Sequence, residues 1–155
     1  MSTRRVAVPA WLRVVREPLS AAEVVALSES GGRIRAPADV FRFLHARLAS
    51  ELQETFVVVT LTSQSAVIGC HEVTRGILNA SLVHPREVFA PALMDRAAGL
   101  ILCHNHPSGD PTPSADDRAA TKQLVEAGRV LDMPVYDHVV IGAGRYVSFA
   151  EAGLL

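Results

Sequence analysis

Apolar positions along this chain follow two different periods. From Pro37 onward, Val40, Phe41, Leu44, Leu48 and Leu52 recur at three- and four-residue spacing, which predicts an amphipathic helix. TFVVVTL (55–61) has no such gaps, and its unbroken β-branched run predicts a strand covered on both faces. The polar turn TSQS followed by SAVIGCHEV predicts the return strand of a hairpin. HPREVFAPALMDRAA (84–98) reads as a helix with Pro85 in its first turn, where a missing N–H costs nothing. Pro91 falls inside it and removes a backbone hydrogen bond at a cost of about 3 kcal/mol, so a kink or break is expected there. GLILCHNH (99–106) predicts another buried strand, ended by Pro107. Ala120, Leu124, Gly128 and Leu131 then mark one face of a long helix. VYDHVVI and YVSF predict two short strands joined around Gly142–Gly144. Residues 1–36 show only a short helical pattern in SAAEVVALSES, stopping at Gly31–Gly32. Strands mixed with helices at these spacings imply an α/β sandwich, a mixed β-sheet flanked by helices. The division expected is a partly ordered basic leader, 1–36, and one domain, 37–155.

Composition narrows the function classes more than it alters the fold. With 155 residues, 49% apolar and 20% charged, the chain can bury a core of its own and is not a disordered sequence. A formal net charge of −1 offers DNA binding no support, although it does not exclude it. No apolar run approaches the roughly 18 residues of a membrane span, so no membrane partner is expected. The leader MSTRRVAVPAWLRVVREP is basic, with no acid before Glu17, but lacks the long apolar stretch of a secretory signal and is short for a transit segment. Two cysteines, Cys70 and Cys103, are too few for a disulfide framework, so both are read as reduced and the protein as cytoplasmic.

The chemistry concentrates in CHNHPSGDPTPSADD (103–117). On a strand, His104 and His106 stand at i and i+2, on one side and about 6.6 Å apart at the Cα. Two ring nitrogens at that separation can converge on one ion at the ~2.0–2.1 Å typical of zinc. Cys103, one residue away, should point to the opposite face and pack there. The proline- and glycine-broken run turns the chain back to Ser114, which opens the next helix and places Asp117 in its first turn. His104, His106 and Asp117 make three ligands and leave a fourth position for water, as an open zinc site requires. SADD also scans as a helix cap with an acid three residues on, a pattern that needs no chemistry; a cap can nevertheless anchor the turn that presents Asp117. Asp116 is the rival for the ligand role.

H-x-H, seven residues, Ser, two residues, Asp is the metal motif of the JAMM (MPN/JAB) metalloprotease fold, and His104, His106, Ser114 and Asp117 carry it with the spacing intact. More closely, GILNASLVHPREVFAPAL, ILCHNHPSGDPTPSADD and DHVVIG…RYVSFAEAGLL resemble the RadC family of bacterial proteins, over roughly residues 37–155. The resemblance implies zinc on His104, His106 and Asp117, a glutamate from an earlier strand as general acid–base, and Ser114 helping to hold the tetrahedral intermediate. Glu54, in ETF at the head of the first strand, matches that glutamate; by its position alone it is one of several acids at a strand edge, with Glu51 and Glu72. RadC proteins usually carry an upstream helix-hairpin-helix region, for which the residues preceding the domain are too few.

The remaining histidines invite plainer readings. Asp137–His138 matches the family's DH pair and is assigned a packing or supporting role. His84 reads as a helix start, His45 as the polar side of its helix, and His71 has no further ligands at metal spacing. Gly109 supplies a turn conformation that other residues disfavour. Three functions compete. The first is a zinc-dependent hydrolase of a peptide or isopeptide bond, with a peptide or protein substrate as partner. The second is a DNA repair or recombination accessory factor, for which Arg4, Arg5, Arg13 and Arg16 of the leader are the available phosphate contacts. The third is a scaffold that keeps the fold without the chemistry, which retention of all three ligands argues against. Exposed hairpin edges are compatible with a homodimer.

Overall fold

A computed structural model describes residues 19, 21, 23, 31–76 and 83–155. Most of the leader, including all but Ala21 and Glu23 of its helical pattern, lies outside the described residues. Three helices are described, α1 (Pro37–Leu48), α2 (Pro85–Met94) and α3 (Ala115–Val130), with five strands, β1 (Thr55–Leu61), β2 (Val67–Arg75), β3 (Gly99–Asn105), β4 (Val135–Ile141) and β5 (Tyr146–Ser148). The strands form one sheet in the order β2-β1-β3-β4-β5. Only β3 and β4 run parallel, joined by the crossover through α3; the other neighbours are antiparallel. The fold is thus the expected α/β sandwich with a mixed sheet.

Strand alternation sorts the core into two layers. Val57, Val59, Ile101, Cys103, Val139 and Ile141 face α1, where Val40, Phe43, Leu44 and Leu48 cover them. Phe56, Val58, Leu100 and Leu102 point the other way, onto Val88, Phe89 and Ala92 of α2 and Leu124 of α3. Full burial of each such side chain contributes roughly 1.5–3 kcal/mol. Cys103 therefore packs away from His104 as expected. Both cysteines are free and buried. At the start of β4 the register shifts, so that Val135 lies beside Leu100 and Asp137 beside Ile101. Tyr136 is left facing solvent at 46% exposure.

The ends of the helices differ from the expected ones. α1 stops at Leu48, so Leu52 is not on its stripe but 92% exposed, and Phe43 rather than Phe41 enters the core. α2 runs through Pro91 without a break. Proline falls in the last turn, so the one hydrogen bond lost leaves a carbonyl at Glu87, an exposed residue. The helix then closes on proline's own carbonyl, with Asp95 N donating to Pro91 O at 2.9 Å, and ends before residue 98. Leu131 caps α3 instead of lining it and is 43% exposed. Asp95, just past α2, accepts from Thr60 Oγ1 at 2.7 Å and lies 2.7 Å from His71 Nε2, so His71 serves to tie α2 to the sheet.

Candidate metal centre

β3 delivers His104 to the α3 side of the sheet, opposite Phe56 in the antiparallel register, and the two rings stack at 5.9 Å. His106 follows the end of the strand, held in line by its N–H donating to Ile141 O at 2.8 Å. Its Nδ1 donates to the carbonyl of Asp110 at 2.7 Å. A carbonyl only accepts, so the proton sits on Nδ1, and in the neutral ring Nε2 is a bare lone pair.

The loop that returns the chain to α3 is held by its own bonds. Gly109, at φ 89°, donates to His106 O at 2.9 Å, and Asp110 Oδ1 accepts from Thr112 N and Oγ1 at 3.0 and 2.7 Å. Ala143 N donates to Gly109 O at 2.9 Å, seating the loop on the β4–β5 turn. Gly142 permits that approach, because a Cβ there would meet Gly109 O at 2.3 Å. The loop ends at Ser114, whose Oγ accepts from Asp117 N at 3.0 Å while its N–H donates to Asp117 Oδ2 at 2.8 Å. This is a reciprocal capping box at the head of α3, and it aims the Asp117 carboxylate at the two histidines.

Asp117 Oδ1 lies 3.2 Å from His104 Nε2, and Oδ2 lies 3.1 Å from His106 Nε2. The two Nε2 atoms are 3.0 Å apart. Among the described residues these are the one group of three whose metal-ligating atoms all lie within 4.8 Å of one another. Asp116 is exposed and stands outside the cluster, which includes Asp117. His104 has no exposed surface and Asp117 is 2% exposed. In the metal-free protein burial opposes charge on Asp117, but the His104 and His106 rings against its oxygens and the Ser114 N–H outweigh this and hold it well below the usual carboxylate range. The hydrogen bond to Asp117 raises the pKa of His106 against the effect of burial, with help from the Asp110 carbonyl and the charge of Glu54. A cleft of lone pairs that draws a proton this strongly fits a cation.

Glu54 stands at the head of β1, half-buried, where its charge acts on the His106 ring. Its two rivals are engaged elsewhere: Arg75 pairs with both Glu51 and Glu72. Asn105, between the two histidines, points along the sheet rather than into the site. Its Oδ1 accepts from Thr55 N at 2.7 Å, and its Nδ2 donates to Gln53 O at 3.1 Å. It thereby clips the segment carrying Glu54 to the strand carrying the histidines. A groove of about 470 Å³ runs up to His106, lined also by His45, Leu52, Asn105, Gly109 and Gly142.

Residue-type spacing could not reveal what lies beneath His104. His138, on β4, is buried between the rings of Phe56 and Phe149, with its Nε2 2.8 Å from His104 Nδ1. Burial pushes its pKa well below the ordinary histidine value, and the neighbouring His104 adds to this. Thr121 of α3 lies 2.6 Å from its Nδ1. Asp137 faces the other way, accepting from Ser148 Oγ at 2.6 Å and Ala150 N at 3.0 Å. Of the DH pair, only the histidine reaches the site.

Comparison with known proteins places the chain in a family. The profile of the RadC-like JAB domain matches residues 34–154. The chain belongs to the RadC-like JAB domain family. It is 48% identical over 123 residues to a UPF0758 protein of Trichlorobacter lovleyi, covering 79% of this chain and 54% of that protein. A UPF0758 protein of Symbiobacterium thermophilum is 53% identical over 119 residues, covering 77% of this chain and 51% of its own length. One from Methanosarcina mazei is 41% identical over 129 residues, covering 83% and 56%. The chain thus spans about half the length of these relatives, and the part it shares with them is the RadC-like JAB domain. No helix among the described residues is long and apolar enough to cross a membrane.

Proposed function

We propose that this RadC-like JAB domain is a zinc-dependent hydrolase that cuts a peptide or isopeptide bond. The observation that carries this reading is the convergence of His104 Nε2, His106 Nε2 and the Asp117 carboxylate within 4.8 Å, beside an open groove. Two imidazoles and one carboxylate with a fourth position free form a donor set of catalytic zinc sites. His104, His106 and Asp117 would hold the zinc, which would supply a Lewis acid able to lower the pKa of a water to about 7.

The chain's own groups supply the rest. Glu54 accepts a proton from the attacking water and returns it to the leaving nitrogen. Ser114 Oγ accepts from Asp117 N, which leaves its hydroxyl hydrogen to donate to the oxygen of the attacked carbonyl as that oxygen gains charge. The groove beside His106 receives the substrate, and Asn105 keeps Glu54 in register with the ligands. Nothing in the net charge of −1 favours direct contact with DNA instead.

Glu54→Gln tests the assignment, with peptide and isopeptide substrates as probes. Loss of general acid–base catalysis should lower turnover by about 10²–10⁴-fold, while one zinc per chain is retained. Full activity in this variant would overturn the role given to Glu54.

A further inference from the structure

We propose that Thr121 and His138 form a directed hydrogen-bond relay that fixes His104 in the tautomer able to hold a metal. The inference rests on the metal reading above and adds two residues to it as positioning groups.

The direction of the relay follows from counting hydrogens. Thr121 Oγ1 lies 2.6 Å from the carbonyl oxygen of Asp117. Two oxygens this close need a hydrogen between them, and a carbonyl has none, so the hydroxyl hydrogen points at Asp117 O. The same Oγ1 is 2.6 Å from His138 Nδ1. Its only hydrogen being used, it must accept there, and His138 carries its proton on Nδ1. His138 has no exposed surface and lies against the rings of Phe149 and Phe56 at 4.7 and 5.4 Å. Such surroundings favour the neutral ring, so His138 Nε2 is a lone pair. That atom stands 2.8 Å from His104 Nδ1, which must therefore be the donor. His104 is left with a bare Nε2, 3.2 Å from Asp117 Oδ1 and 3.0 Å from His106 Nε2.

Asp117 stands at both ends of this circuit. Its carbonyl accepts from Thr121, and its carboxylate faces the His104 nitrogen whose lone pair the relay exposes. One turn of α3 thus presents a ligand and, four residues on, orients a second ligand through β4. Donation from Nδ1 also holds the ring in place and raises its basicity toward a metal.

The test combines imidazole nitrogen-15 spectra of the wild type, metal-free and with zinc, with zinc affinities of Thr121→Val and Thr121→Ser. The relay predicts a protonated Nδ1 on both His138 and His104 in the wild type. Thr121→Val keeps the shape but removes the hydroxyl, and zinc affinity should fall about 10–100-fold; Thr121→Ser restores the hydroxyl and should bind near the wild-type level. A proton on His138 Nε2, or undiminished zinc affinity in Thr121→Val, overturns the relay. The wild-type spectra need no variant to fold. A wild type that takes up no zinc but shows the Nδ1 tautomers would sink the metal reading and leave the relay standing.

Discussion

At His106 a proton and the proposed metal compete for one nitrogen. Without a metal, the Asp117 carboxylate favours a proton on His106 Nε2 and raises its pKa; a metal must displace that proton to use the same atom. A pKa raised in the folded state contributes stability that is full below the unfolded value near 6.5 and is lost as pH rises through the folded value. Asp117 stays ionised throughout that window, because its pKa is held low. Metal-free protein should therefore lose part of its stability as pH rises above neutrality. Zinc affinity should climb over the same range, by up to about tenfold per pH unit while His106 still holds its proton. Calorimetric titrations with zinc across pH 6 to 8 check this; an affinity flat with pH would contradict it. The grouping of His104, His106 and Asp117 was legible, because a two-residue spacing on a strand and a helix cap are local patterns. Thr121 and Asn105 were not, and His138 was read only as a packing or supporting residue of the DH pair, since their contacts exist only once α3 packs on β4 and β3 pairs with β1.

Elements were legible in type and less so in extent. The unbroken apolar runs identified β1 and β3, whose every residue is buried. Helix ends depended on chain geometry that periodicity does not record. Leu52 and Leu131 continue the helical spacing of α1 and α3 yet fall after their last turns. Pro91 marks the coming end of α2 instead of a break, for a proline three residues from a terminus leaves few bonds to lose. Gly128 shows a packing demand overriding propensity within α3. Replacing a helical glycine by alanine ordinarily stabilises by about 1 kcal/mol. Here a Cβ would meet the Met133 carbonyl oxygen at 2.5 Å and the Phe89 ring at 3.2 Å. Gly128→Ala should therefore destabilise by about 1–3 kcal/mol. A lower melting temperature by thermal denaturation is the expected reading, and a higher one would mean that the α3–β4 turn yields freely.

At the scale of the molecule, the fold brings four distant segments to one end. The ends of β3 and β4 hold His104, His106 and the relay beneath them; the head of β1 brings Glu54; the cap of α3 brings Asp117 and Ser114. The α/β architecture followed from periodicity alone, whereas the assembly of the site came from a resemblance that the RadC-like JAB domain match then matched in extent. The proposed peptide cleavage depends on a metal being held. The metal content of the purified protein, measured beside a His104→Ala/His106→Ala variant, is the most direct test. One zinc per wild-type chain, absent from the variant, is the predicted result. A wild type that remains metal-free after zinc is offered would contradict the account and leave a RadC-like fold without this chemistry.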